Sequence, residues 1–214
     1  LDPSTSTRLH TLPARERVEY KGEWYVAKKG VESVLLIGID KYDAAPQPDR
    51  YVNDRQADFL LLLVIDHDTK SFHALHLDRD TMTEIQALGL GGKPAGTFVG
   101  QLALSHTYGS GGKDSGQLVV RAVSHLLFNV EIDHYISVTM DAVPEINDLV
   151  GGVPVRVLDD FTGIDPTLIQ GSDVTLRGEQ ALTYVRTRRG LEDSSNINRM
   201  ARQRQYLTAF QEQW

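Results

Sequence analysis

Apolar residues in this chain fall into short runs and helical stripes separated by polar turns. Val34-Leu35-Leu36-Ile37-Gly38-Ile39 is too short for a helix of ordinary length and rich in strand formers, which predicts a buried strand. Phe59 to Ile65 predicts a second strand and Phe72 to Leu77 a third. The polar turn between them, Asp66 to Lys70, allows a hairpin but no helical crossover, so strands two and three run antiparallel. Pro46, Pro48, Asp49 and Asn53 mark the loop before strand two. From Gln117 to Phe128, the positions Leu118, Val119, Ala122, Val123, Leu126 and Leu127 trace one face of an amphipathic helix. Tyr135 to Thr139 reads as a strand, Asp141 as the cap of a helix running through Val150 to Gly151-Gly152, and Val153 to Leu158 as a further strand. Helices are expected at about Gly178 to Arg188 and Asn196 to Phe210. Glycines 89, 91, 92, 96 and 100, and 109, 111, 112 and 116, predict mobile loops around the segment Gln101 to Tyr108. The first thirty residues are polar and aperiodic and read as an arm, in which Tyr20 to Lys29 suits a short edge strand or hairpin. Strands interleaved with helices, without internal repeats, predict an α/β domain over residues 31–214. Its architecture is α/β/α layered, with a central mixed β-sheet flanked by helices.

A chain of 214 residues with 41% apolar and 24% charged residues fits one globular domain. The net charge of -7 argues against a protein that grips nucleic acid over its whole surface, so an anionic partner must meet a local patch. The absence of cysteine removes disulfides, thiolate nucleophiles and zinc ribbons. The longest apolar run, Phe59 to Ile65, is far below the roughly 20 residues that cross a bilayer, and no signal-peptide pattern precedes it. The chain starts at Leu1, which leaves room for an anchor upstream.

Two constellations carry candidate chemistry. Seven of the fifteen arginines lie between Arg177 and Arg204, with no lysine among them, and arginine's planar fork suits phosphate oxygens. In the last helix Arg199, Arg202, Gln203 and Tyr206 share one face, while Met200, Leu207 and Phe210 can pack inward. Arg186 and Arg188 add donors from the preceding helix end. The alternative is a solvated basic helix making surface ion pairs. The second constellation follows from strand direction. Asp58 opens strand two, Arg79 and Asp80 follow strand three, and the hairpin brings the three to one end. If strand one lies antiparallel to strand two, Asp40 joins that edge. A pair of carboxylates there suits Mg2+, whose other positions take water and phosphate oxygens; aspartates at strand ends can equally be turn residues. Three weaker signals are set aside. Tyr108 to Lys113 has Asp114 where a phosphate-binding loop needs Ser or Thr. His73 and His76 point to opposite strand faces. Ser105-His106 lacks the glycine pattern of a nucleophile elbow.

The segments Leu-Leu-Ile-Gly-Ile-Asp40, Arg55-Gln-Ala-Asp58, Leu77-Asp78-Arg79-Asp80-Thr81, Val150-Gly-Gly-Val153, Gly178 through Arg186-Thr-Arg188, and Arg199-Met-Ala-Arg202-Gln203 occur in that order. In this the chain resembles the LytR-CpsA-Psr family from about residue 31 to 210. The resemblance implies an extracytoplasmic enzyme, tethered by an N-terminal transmembrane helix absent from this sequence. Such an enzyme transfers a glycopolymer from a polyprenyl-pyrophosphate carrier onto peptidoglycan, and no nucleic acid takes part. It implies Mg2+ on Asp40 and Asp58, and a substrate-binding set of Arg55, Arg79, Arg186, Arg188, Arg199, Arg202 and Gln203. Arg79 and Arg199 are expected to act on the pyrophosphate, with Asp80 as the general base. The apolar face of the 118–127 helix is the candidate cradle for the lipid tail. Two positions depart from the family pattern: Asp78 replaces a proline and Asn196 an acidic residue. The rival readings are a polyprenyl-pyrophosphate phosphatase using the same residues, and a non-catalytic binder of cell-wall polyanions.

Overall fold

A computed structural model describes residues 17–40, 55–89, 93–109 and 112–213. The expected arm before residue 17 and the loop carrying Pro46, Pro48, Asp49 and Asn53 lie outside these, as do Gly91, Gly92 and Gly111. The chain forms two units. One comprises the described residues up to Gly38 and between Pro46 and Ser137; the other comprises those of Ile39–Ala45 and Val138–Trp214.

In the first unit, β1 (Arg17–Tyr20) and β2 (Glu23–Val26) pair as the antiparallel hairpin expected near Tyr20. The three apolar runs become β3 (Val31–Ile39), β4 (Ala57–Asp66) and β5 (Ser71–His76). With β8 (His134–Thr139) they make a sheet of order β5-β4-β3-β8. β4 and β5 are antiparallel, with Leu61 opposite His76 and Asp66 opposite Ser71. The His67 N–H donates to the Gly30 carbonyl at 2.9 Å, which sets the end of β4 beside the start of β3, so these two strands are antiparallel as well. Asp133, just before β8, accepts the Ser33 N–H at 2.8 Å. The starts of β3 and β8 are therefore neighbours, those strands run parallel, and the sheet is mixed. Leu35, Ile37 and Leu60 are fully buried on it.

The glycine-rich middle corrects the expectation of loops. Met82–Leu88 (β6) and Pro94–Gln101 (β7) form an antiparallel ribbon with a register shift between Ala87 and Leu88, followed by a 3-10 turn over Leu102–Ser105. Glycine here makes space for a neighbour. A Cβ on Gly100 would lie 2.9 Å from Ile85 Cδ1 and 3.2 Å from the Phe98 ring. Gly100→Val is therefore expected to cost about 1–3 kcal/mol through overpacking, read as a lower urea midpoint. Helix α1 (Gly112–Leu126) begins within the glycine segment, five residues before the expected start at Gln117. Leu118, Val119, Ala122 and Val123 are buried where α1 packs on β6 and the 3-10 turn. That apolar face, the expected cradle of the lipid tail, packs against the protein here.

In the second unit, Asp141 does not cap a helix. It lies inside a 3-10 turn over Met140–Ala142, and α2 (Val143–Leu149) starts from Ala142 without a side-chain cap. The chain turns at Gly151 and Gly152 as expected, both at positive φ, and a Cβ on Gly152 would meet the Leu176 carbonyl at 2.8 Å. β9 (Val153–Arg156) pairs antiparallel with β10 (Asp173–Leu176), a four-residue strand that the sequence pattern hid. Helices α3 (Glu179–Arg186) and α4 (Asn196–Gln213) follow. Asn147, fully buried, ties the unit together: its amide donates to the Leu176 carbonyl at 2.9 Å and its oxygen accepts from the Tyr206 hydroxyl at 3.2 Å. The Tyr206 hydroxyl pKa is pushed up to about 12 by burial.

Candidate active site

The antiparallel register of β4 and β5 continues past His76, where the Leu77 N–H donates to the Leu60 carbonyl at 2.9 Å. Residues 78–80 therefore arrive beside Asp58, the second residue of β4. The Arg79 guanidinium is held by the Asp58 carboxylate and by Gln56 Oε1, and its Nε lies 3.4 Å from Asp80. The structure thus brings Asp58, Arg79 and Asp80 to one sheet edge, as strand direction predicts. The side chains of Arg79 and Asp58 are 10% and 9% exposed, whereas that of Asp80 is 37% exposed. Asp80 is thus the carboxylate of the three that reaches solvent.

The segment carrying Arg79 is fixed from both sides. The Arg79 carbonyl accepts the Ala103 N–H at 2.9 Å, and the Thr81 carbonyl accepts the Leu102 N–H at 2.8 Å. The departure at Asp78 has a structural account. Its Oδ1 accepts the Asp80 N–H at 2.9 Å, an Asx turn that restricts the chain where the family uses a proline ring. Asp78→Ala is expected to cost about 1 kcal/mol and Asp78→Asn almost nothing, checked by denaturant unfolding.

Two residues that the sequence reading passed over support the start of β4. Gln56 accepts from Arg79, as above. His106 Nδ1–H donates to the Arg55 carbonyl at 2.8 Å, and the Thr107 hydroxyl donates to the same oxygen at 3.3 Å. Burial holds the His106 pKa below the usual histidine value. Ser105 donates to the Leu102 carbonyl at 2.7 Å, so Ser105 and His106 each serve the backbone. No signal in a single sequence marks His106, because a histidine that supports a carbonyl needs no local motif. Of the histidine pair in β5, His73 is exposed and His76 lies tilted against Phe59 with ring centroids 5.1 Å apart.

The second unit holds the arginine cluster. Asp40 accepts from Arg186 at 3.0 Å, with side chains 29% and 47% exposed. Arg188 is half-buried and Arg189 exposed. The polar face of α4 corrects the expectation of an open donor surface: Arg199, Arg202, Gln203 and Tyr206 are all buried. Arg202 Nε donates to the Tyr184 carbonyl at 2.9 Å, while its two terminal nitrogens reach Asp159 and the Thr187 carbonyl. The guanidinium carbon stands 5.3 Å from the centre of the Phe161 ring. Gln203 donates to the Val185 carbonyl at 3.1 Å. Arg202 and Gln203, expected on the substrate, donate here to the carbonyls at the end of α3. The physical reason is the unsatisfied C-terminus of a helix, which favours cationic donors. Arg199 donates to Asn196 Oδ1 at 2.6 Å, so the amide at the second departure keeps the i, i+3 hold on this arginine without adding charge. Tyr184 donates to Gln205 at 2.5 Å, and burial pushes its pKa up to about 12.

Among the described residues no group of three or more His, Asp or Glu side chains gathers into a metal cage. Mg2+ ordinarily takes only one or two carboxylates alongside phosphate oxygens and water. The Asp58 and Asp40 carboxylates, hard oxygen donors by type, each hold an arginine within their own unit. Among the described residues no helix is long and apolar enough to cross a membrane.

The model of the LytR_cpsA_psr family matches residues 4–214. The polyisoprenyl-teichoic acid–peptidoglycan teichoic acid transferase TagU of Bacillus licheniformis is 30% identical over 175 residues, covering 82% of this chain and 49% of that protein. TagU of Bacillus subtilis is 28% identical over 204 residues, covering 95% and 58%. The chain spans about half the length of the curated relatives it matches. Crystalline B. subtilis TagV superposes with a TM-score of 0.62 at 28% identity, covering 87% of this chain and 66% of that one. TagT bound to LIIa-WTA superposes with a TM-score of 0.61 at 26% identity, covering 86% and 64%. The mixed α/β fold is common to these domains.

Proposed function

The chain belongs to the LytR_cpsA_psr family, and from that premise we propose that it transfers a glycopolymer, of teichoic acid or polysaccharide type, from a polyprenyl-pyrophosphate carrier to peptidoglycan. The observation that carries this reading is the Asp58–Arg79–Asp80 cluster, a guanidinium locked in place at a sheet edge beside a solvent-reaching carboxylate. The relatives named as teichoic acid transferases supply the substrate class. Arg79 meets the pyrophosphate with its orientation already fixed, so little reorganisation accompanies the build-up of charge. Within the second unit, Arg186 at the end of α3 and Arg188 just after it offer donors that reach solvent.

In this reaction the acceptor sugar hydroxyl forms a bond to the sugar-proximal phosphorus. The bond from that phosphorus to the bridging oxygen breaks, and polyprenyl phosphate leaves. Asp80 takes the hydroxyl proton. Asp58 would offer a carboxylate oxygen to Mg2+, as would Asp40 in its own unit, and the ion would supply charge neutralisation at phosphate oxygens. The site of action we propose is the outer face of the cell membrane, reached by an anchor that precedes this sequence.

The test is binding of a long-chain polyprenyl pyrophosphate, followed by transfer to a peptidoglycan acceptor. Affinity is expected to fall about tenfold or more on removing Mg2+ and in Arg186→Ala. Equal binding in all cases would overturn the reading. Release of phosphate with no transfer to an acceptor would favour the phosphatase.

A further inference from the structure

The first unit carries a cleft that the transfer chemistry does not use. It has a volume of about 400 Å3 and opens between the β6–β7 ribbon, α1 and the turn after α1, within the range of about 300–1,000 Å3 usual for small-molecule sites. Its charged and amide-bearing lining is Glu84, Gln86, Arg121, Asn129 and Glu131, joined by His125 and the hydroxyls of Thr97 and Ser124. The turn after α1 that carries Asn129 is held in an uncommon conformation. Phe128 and Asn129 both adopt left-handed backbone, at φ of 61° and 62°, which non-glycine residues take at a cost. The Ser124 hydroxyl locks this turn by donating to the Val130 carbonyl at 2.7 Å, and the Asn129 N–H returns to the Ser124 carbonyl at 2.8 Å. Across the cleft Arg121 donates to Gln86 Oε1 at 2.6 Å, which fixes both side chains.

We propose that this cleft is a binding site for neutral, hydroxyl-rich ligands, and that a glycan strand is its occupant. The lining determines the class. Two carboxylates, which only accept hydrogen bonds, stand with an arginine, which only donates, and with two amides that do both. A phosphate also only accepts, and it would face Glu84 and Glu131. A cation would face Arg121. Sugar hydroxyls donate and accept in one group, so they satisfy both kinds of partner without carrying charge into the cleft. The site is separate from the Asp58–Arg79–Asp80 cluster in its residues. The proposal stands whether or not this chain transfers a polymer, since its ligand needs no phosphate.

The test titrates the whole chain with an unphosphorylated tetramer of N-acetylglucosamine, followed by amide chemical shifts and calorimetry. Saturable shifts at Ser124, Asn129 and Glu131 are expected. Affinity should fall about tenfold or more in Glu84→Ala and in Asn129→Gly, the loss of one well-placed hydrogen bond in each case. Asn129→Gly removes the amide while relaxing the left-handed backbone, so its loss of binding is not a loss of folding. Arg186→Ala should bind the tetramer as the wild type does, and would separate failure here from failure of the transfer reading. No saturable binding, equal binding in all variants, or displacement of the tetramer by inorganic polyphosphate would each overturn the proposal.

Discussion

Arg202→Ala is expected to lower the unfolding free energy by about 3–5 kcal/mol, the loss seen when one member of a buried ion pair is removed. The Arg202 side chain is 1% exposed and that of its partner Asp159 is 18% exposed, so little solvent replaces the lost charge. Two carbonyls at the end of α3, those of Tyr184 and Thr187, lose their donor at the same time. The melting temperature should fall by roughly 10 °C for a chain of this size. Arg202→Lys should recover little, because a single ammonium cannot reach three acceptors arranged around a planar fork. Thermal and urea unfolding at fixed pH measure both variants. A loss below about 1 kcal/mol would mean that water fills the space and serves those acceptors.

Asp58→Asn should reduce transfer by about 10²–10³-fold, the scale of removing one preorganised electrostatic partner. The substitution preserves volume and an oxygen that Arg79 can still engage, but it removes the charge that fixes the guanidinium. Asp80→Asn should slow transfer and leave carrier binding near that of the wild type, because a base acts on the acceptor proton and contributes nothing to holding the carrier. Paired binding and turnover measurements distinguish the two carboxylates. If Asp58→Asn turned over as the wild type does, the pair would be part of the turn alone.

The sequence is most legible where one periodicity and one turn act together. β4, its four-residue turn and β5 follow from apolar runs, and their antiparallel direction alone places Arg79 and Asp80 beside Asp58. The ribbon of β6 and β7 is illegible for a local reason. Gly96 and Gly100 lower strand propensity, yet Gly100 is required by the closeness of Ile85, a neighbour known only once the strands pair. Asp141 reads as a cap by type, but the 3-10 turn begins before it. On α4 the helical wheel puts Arg199, Arg202 and Gln203 on one face, as observed. It does not show which face turns inward, because a polar face packs inside a fold only when another element offers acceptors. Here the end of α3 offers them. Asp78 and Asn196 depart from the family pattern in type while keeping a hold on the adjacent arginine segment, by an Asx turn in one case and an amide contact in the other.

Among the described residues the ribbon of β6 and β7 forms a two-stranded sheet, which leaves outer backbone unpaired with another described strand. Such an edge invites a strand from a second molecule. Several features make it a poor template. Pro94 opens β7 without an N–H, the register slips between Ala87 and Leu88, and Gly96 holds φ at 133°, which kinks the strand away from a flat ladder. The residues that obscured the ribbon in the sequence are therefore those that keep it from recruiting a strand of another copy. Replacing them with good strand formers would turn this edge into a template for aggregation.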